Sequence, residues 1–348
     1  MLLNQLTTAT RLFRREDGWD EEENCLHVTP GPNGNVPPTA CNSYYNFDPQ
    51  FAPAVAVAVI FGTLTAIHLL EAIIFKKRYA WVLIMGGLWE TLAFTLHSLG
   101  SRDQQNIGYA TAWQLLFLLA PLWINAFVYM TFARMVLYWH PEGKITGLKA
   151  AVIARWFVLA DVLSFIVQGA GGLMATPSAS ADVIRIGLNI YLGGLGLQEF
   201  FVLLFCGLMV RFQRQCGRGR GFDEKPSWKP LLFGLYAVLV CITIRIIFRI
   251  VEFSGGLGDS NPIPFHEEYA YALDCFPMML ALLVLAVIHP GRYLRGPQSE
   301  FIRLSRKEKK ALKLEKKTER REEKEAKKRA KKNTMGDMSR SDDTSCEA

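Results

Sequence analysis

The chain has 348 residues, half of them hydrophobic, with a mean hydropathy of +0.14 and a formal charge of +7. Its apolar residues come in long blocks, which excludes an ordinary soluble domain with scattered apolar faces. The charge does not mark a nucleic-acid binder: from Ser299 onward 17 Lys/Arg stand against 11 Asp/Glu, so the tail holds nearly all the excess, without any aromatic or recognition pattern.

Residues 1–50 read as an N-terminal segment outside the membrane. The start, MLLNQLTTATRLFRRE, lacks a sustained apolar core and its basic residues come late, unlike a signal peptide. The acidic run from Glu16 to Glu23 and the Pro/Gly/Asn-rich stretch from Pro30 to Pro38 are too polar to bury a core and are expected to be loose. Cys25 and Cys41 pair only if this segment meets an oxidising compartment, and their spacing leaves both states open.

A hydrocarbon core about 30 Å thick takes roughly 20 mostly apolar helical residues. Seven segments qualify, near 51–75, 80–99, 109–133, 153–175, 184–210, 230–252 and 268–289. A lipid-exposed backbone must satisfy its own hydrogen bonds, so these are helices. The predicted fold is all-α: a polytopic bundle of seven transmembrane helices over residues 51–292, then a basic tail over 293–348. The Lys/Glu-rich part of the tail, Glu300–Lys332, is expected to be a solvated helix and the remainder disordered.

The first helix ends at Lys76, Lys77 and Arg78. The second contains Glu90 and His97. The third contains Pro121, Asn125, Tyr129 and Arg134. The fourth carries Asp161 and Gln168, seven residues apart on one face. The fifth carries Gln198 and Glu199. In the sixth, Arg245, Arg249 and Glu252 follow i, i+4, i+7 spacing and share a face. A Gly-rich turn leads to the seventh helix, where Asp274 lies about two turns in, at a depth that suits pairing with the arginines.

Basic residues in short loops set orientation. The odd loops carry eleven, from Lys76 to Lys229, and the even loops only Arg102. The odd loops therefore face the cytoplasm, with the N-terminus outside and the C-terminus inside. A basic tail at that position suits the anionic lipids of the inner leaflet.

Ionisable residues at membrane depth cost about 2.5–3.5 kcal/mol each on insertion scales, so they are paired or face a wet cavity. Two readings stand side by side. In one, salt bridges fix the bundle. In the other, Glu90, Asp161, Gln168 and Asp274 line a polar cavity for a charged or zwitterionic head group. The close glycines, Gly169, Gly171 and Gly172 with Gly193, Gly194 and Gly196, fit tight helix packing. His68, His97 and His289 lie on different helices without metal spacing, and no P-loop is present, so neither a metal nor another cofactor is expected.

The run Arg245-x-x-x-Arg249-x-x-Glu252, then Gly255-Gly256, Glu267, Tyr271, Asp274, Pro277-Met278 and His289-Pro290-Gly291, resembles the RTA-like family of fungal membrane proteins, also called lipid-translocating exporters. Glu90, Ala120-Pro121 through Ala126, Tyr129, Asp161 with Gln168-Gly169, and Gln198 extend the match over about residues 44–295. The resemblance implies a seven-helix protein linked to resistance against lipophilic toxicants, to release of sphingoid long-chain bases and, in one branch, to porphyrin traffic. Glu268 stands where an aromatic residue is usual, which adds negative charge near the outer mouth and favours cationic ligands there.

The reading of function is a translocator or exporter of amphipathic lipids or lipophilic toxicants in the plasma membrane, not an enzyme. Its substrate contacts are expected among Glu90, Asp161, Gln168, Gln198, Arg245, Arg249, Glu252, Glu267, Tyr271 and Asp274. A seven-helix sensor or receptor for a lipophilic ligand has the same layout and is the alternative. An intramembrane lipid hydrolase ranks last, because the His/Asp zinc set such enzymes use is missing.

Overall fold

A computed structural model describes residues 27–38, 40, 42–45, 47–140, 143–174, 181–218, 226–255 and 261–301, together with 318 and 322. Cys25, Cys41, the acidic run at 16–23 and nearly all of the basic tail lie outside the described residues. The chain divides into two compact units, Met1–Glu300 and Phe301–Ala348.

The first unit contains seven helices long and apolar enough to cross a membrane. They are α1 (Phe51–Ile74), α2 (Trp81–Gly100, entered through a 3-10 turn at Arg78–Ala80), α3 (Ile107–Trp139), α4 (Ala150–Met174), α5 (Ala181–Arg218) and α6 (Lys229–Ser254). The seventh, α7, joins an α-helical turn (Glu267–Ala270), a π turn (Tyr271–Cys275) and an α-helix (Phe276–Val287). Each helix packs on the next in sequence, α7 closes back on α1, and α3 touches α6 across the middle. The bundle thus has a Phe51 end and an Ile74 end.

Burial separates core from periphery. In the most apolar part of α3 and of α6, 61% is buried, against 28% for α1. The exposed side of α1 presents Val59, Ile60, Leu70, Ile73 and Ile74, and α4 and α5 add Trp156, Ile166, Phe200 and Leu203. Large apolar side chains around a bundle of membrane length are stable only against hydrocarbon. The chain is a multi-pass membrane protein.

Local chemistry sets the helix ends. The Asn106 side chain caps α3 by accepting from the amides of Gly108 (3.0 Å) and Tyr109 (3.3 Å). Pro230 sits in the first turn of α6, where its missing N–H costs nothing. The π turn precedes Pro277, which has no N–H to donate to Leu273 and whose ring crowds that carbonyl; a wider turn relieves both problems. His289 accepts from the Gly291 amide (3.1 Å) and stacks on Phe75 with ring centroids 5.0 Å apart. A side chain at position 291 would strike Phe75, so His-Pro-Gly here is a cap, a helix start and a close contact in three residues.

Two sequence expectations change, and one link turns out to be structured. The stretch from Pro30 to Pro38 is docked rather than loose: the Gln104 amide donates to Asn33 O (2.8 Å), Gln105 Nε2 donates to Gly34 O (2.9 Å), and Val36 is buried. Backbone pairing with the α2–α3 turn supplies the order that composition does not. The link after α3 holds a small antiparallel hairpin, Lys144–Ile145 with Leu148–Lys149, around Thr146-Gly147; both turn residues have positive φ, the geometry of a two-residue hairpin loop. Of the glycines expected to pack α4 on α5, Gly171 and Gly194 are in close contact. A Cβ on Gly171 would overlap the backbone of Gly187 and Tyr191, and one on Gly194 would meet Gln168, whereas Gly169, Gly193 and Gly196 have open space.

Candidate functional site

The strongest concentration of charge lies between α6 and α7. Arg245 Nε is 2.5 Å from Asp274 Oδ1, and Arg249 pairs with Asp274 Oδ2. Arg249 Nη1 also donates to Glu252 Oε2 at 3.0 Å, one turn further along α6. All four side chains are buried. Helical spacing puts the arginines and Glu252 on one face, and the π turn supplies the facing aspartate. Phe117 of α3 stands under both guanidinium groups, at 5.9 Å from Arg245 and 5.5 Å from Arg249, and Tyr191 of α5 lies within the field of all four charges. Glu90 of α2 also lies within the field of Arg245, Arg249 and Asp274, yet its carboxylate makes no hydrogen bond.

Asp161 belongs to a second group. Its Oδ2 accepts from Asn125 Nδ2 (2.9 Å) and from the Tyr129 hydroxyl (3.0 Å), both on α3. Phe157 and Phe205 enclose Tyr129, so an apolar wall surrounds this pair of bonds. Gln168 forms a third group, donating to Gln198 Oε1 (3.1 Å) and to Gly194 O (3.3 Å) across the α4–α5 contact. Close approach at Gly194 is what brings the two amides into reach.

The fourth group lies at the Phe51 end. His97 Nε2 is 2.6 Å from Glu267 Oε1, which also accepts from the Tyr271 hydroxyl at 3.0 Å. The Gln50 amide, just before α1, donates to Glu267 Oε2 at 3.1 Å. Trp113 stacks on His97 with centroids 4.0 Å apart. Phe47, Phe94, His97, Trp113, Phe117, Glu267, Ala270 and Tyr271 line a narrow cleft, partly open to the surroundings, whose free volume of about 10 Å³ is room for one water. Tyr45 packs against this wall, and burial, with Asp103 and Glu267 nearby, pushes its phenol well above the ordinary tyrosine range. Glu268 points elsewhere: it is exposed and meets His266 Nδ1 at 2.8 Å.

At the Ile74 end, Lys77 Nζ donates to Ser299 Oγ (3.0 Å) and to Glu300 Oε1 (3.1 Å), Arg134 Nε lies 3.7 Å from Glu300 Oε2, and the Arg134 guanidinium covers the Tyr79 ring at 3.6 Å. This end therefore grips Ser299 and Glu300, near the start of the tail.

The ten residues singled out from sequence thus fall into four groups instead of one chamber. Arg245, Arg249, Glu252 and Asp274 come together with Glu90 beside them. Asp161 stands apart, Gln168 and Gln198 pair, and Glu267 with Tyr271 faces the cleft. Of the ten, only Glu267 and Tyr271 line that cleft. Sequence reasoning missed its aromatic walls, Phe47, Phe94, Trp113 and Phe117, and the His97 partner of Glu267, because the pair is 170 residues apart and no spacing rule connects it. Among the described residues, no three His, Cys, Asp or Glu side chains cluster as metal ligands.

No solved structure matches the chain. A probable lipid transporter from Emericella nidulans, atnI, is 43% identical over 298 residues, covering 82% of this chain and 77% of that protein. Protoporphyrin uptake protein 1 of Saccharomyces cerevisiae is 29% identical, over 58% of this chain and 65% of its own length. The sphingoid long-chain base transporter RSB1 of the same yeast is 21% identical, over 73% and 75%. The family model for RTA1-like proteins matches residues 83–297, which span α2 to the end of the bundle and all four polar groups. The chain belongs to the RTA1-like family.

Proposed function

We propose that this protein translocates amphipathic lipids across the plasma membrane, and that protonated long-chain amines such as sphingoid bases are the class it fits best. The cleft at the Phe51 end carries this reading. It sets one carboxylate, Glu267, and the hydroxyl of Tyr271 among the rings of Phe47, Phe94, Trp113 and Phe117. Aromatic faces and an acid attract an ammonium group together, while ring edges suit the adjoining alkyl chain. The names of the relatives, lipid and long-chain base transporters among them, support the same class.

In this reading the Phe51 end faces outside, as the loop charges require, and the tail lies on the anionic inner leaflet. The cleft, once its aromatic walls move apart, takes the head group. The paired arginines between α6 and α7 close the way inward, so passage needs those helices to part.

The test is flip of a labelled sphingoid base in liposomes holding the full chain. Wild-type protein is expected to speed flip, and Glu267→Gln to lose most of that gain. Flip that is no faster than in protein-free liposomes removes the translocation reading. One observation favours the second reading, a sensor: below the cleft, paired side chains fill the interior. A sensor binds the amine and recruits a partner to the tail without any flux.

A further inference from the structure

Glu90 sits halfway along α2, fully buried, and neither of its carboxylate oxygens has a hydrogen-bond partner. Among the described residues the other buried acids all have a hydrogen bond or an ion pair: Glu71 with Arg292, Asp161 with Asn125 and Tyr129, Glu252 with Arg249, Glu267 with His97, and Asp274 with both arginines. The charges acting on Glu90 come from Arg245 and Arg249 of α6 and Asp274 of α7, with the Cys275 thiol beside it. Titratable groups on the flanking helices are engaged elsewhere. On α1, His68 meets Leu282 O and Glu71 meets Arg292; on α3, Tyr129 donates to Asp161 and Arg134 to Met130 O.

Charge counting then decides the state of Glu90. Two arginines face two carboxylates, Asp274 and Glu252, and this set is already neutral. A third ionised carboxylate would leave one uncompensated negative charge in a hydrocarbon-depth core, without a single donor to solvate it. We propose that Glu90 is a proton-binding site, holding one proton in this closed arrangement and exchanging it for the cationic head group of the translocated amine. The exchange balances. As α6 and α7 part from α2, the Glu90 O–H bond breaks, the proton leaves with entering water, and the ammonium charge takes its place beside the new carboxylate. The amine half of the inference rests on the function proposed above; the proton half does not.

Infrared difference spectroscopy on the purified full chain separates the two halves. Wild-type protein at neutral pH should show the carbonyl band of a protonated carboxyl group, shifted in heavy water, and Glu90→Gln should lack it. An unchanged band in Glu90→Gln overturns the proton site. If that variant does not fold, the Glu199→Gln variant, which keeps Glu90, decides instead when it carries ¹³C at its glutamate carboxyls: the band must move, and a band that stays put overturns the site. Adding a sphingoid base should then bleach the band. A Glu90 band that persists under saturating amine overturns the exchange.

Discussion

Asp274 is shared by two arginines, with Arg245 Nε 2.5 Å from one oxygen and Arg249 on the other. Both guanidinium groups are buried. Asp274→Asn leaves Arg245 without its carboxylate and takes one of the two from Arg249, and breaking a buried pair from one side costs about 3–5 kcal/mol. Thermal unfolding in detergent should show a larger loss for Asp274→Asn than for Arg245→Met, because in the second variant Asp274 still pairs with Arg249. The double variant Arg245→Met with Asp274→Leu should recover part of that loss; an additive double variant would show that the contact is not an energetic pair.

Tyr129→Phe removes a buried hydrogen bond to a carboxyl group and should cost about 1.5–3 kcal/mol in the same melting assay. None of Asp161, Asn125 and Tyr129 lines the cleft, so amine binding should stay at the wild-type level. A large change in amine affinity with unchanged stability would place Asp161 on the ligand path.

Much of the bundle is legible in the sequence. Seven apolar blocks give seven helices, although α3 and α5 run six and eight residues past their expected ends to Trp139 and Arg218, and the i, i+4, i+7 spacing of Arg245, Arg249 and Glu252 gives their common face and the Asp274 partner. What escapes is whatever depends on distant backbone approach. His97 and Glu267 meet because α2 and α7 converge at one end. Gln168 reaches Gln198 because Gly194 has no side chain. The docking of Pro30–Pro38 depends on amides of the α2–α3 turn, invisible to any composition argument. Asp161 and Glu90 look alike in sequence, each a lone acid in an apolar helix, and their opposite surroundings emerge only from the packing of α3 and α6.

Gly171→Val should separate α4 from α5. The added carbons meet backbone on the facing helix, which cannot rotate away, so the cost is about 1–3 kcal/mol or more. Gly193→Val, two turns along on the open side of α5, should be nearly silent. Crosslinking yield between cysteines placed on α4 and α5 reports the separation directly.

Trp113→Ala removes the ring stacked on His97 from the cleft wall. Binding of a cationic amphipath should weaken by about fivefold, on the ~1 kcal/mol scale of a cation–π contact, while a neutral amphipath of equal length should lose less. Equilibrium binding of the two ligands to the purified chain checks this.

Lys77→Ala unfastens Ser299 and Glu300 at the Ile74 end. Glu300 is partly exposed, so the melting temperature should move little. Limited proteolysis should instead cut faster between residues 293 and 300 in the variant than in the wild type.

The turn from Tyr271 to Cys275 holds more residues per revolution than the helix on either side. Each residue of an α-helix advances about 100° around its axis. Tightening that turn to ordinary α pitch would therefore swing Glu267 and Tyr271 sideways out of the aromatic wall while the stretch beyond Pro277 stayed seated. Asp274 lies inside the same turn, so the aromatic cleft and the Arg245–Asp274–Arg249 cluster both hang on one short length of backbone.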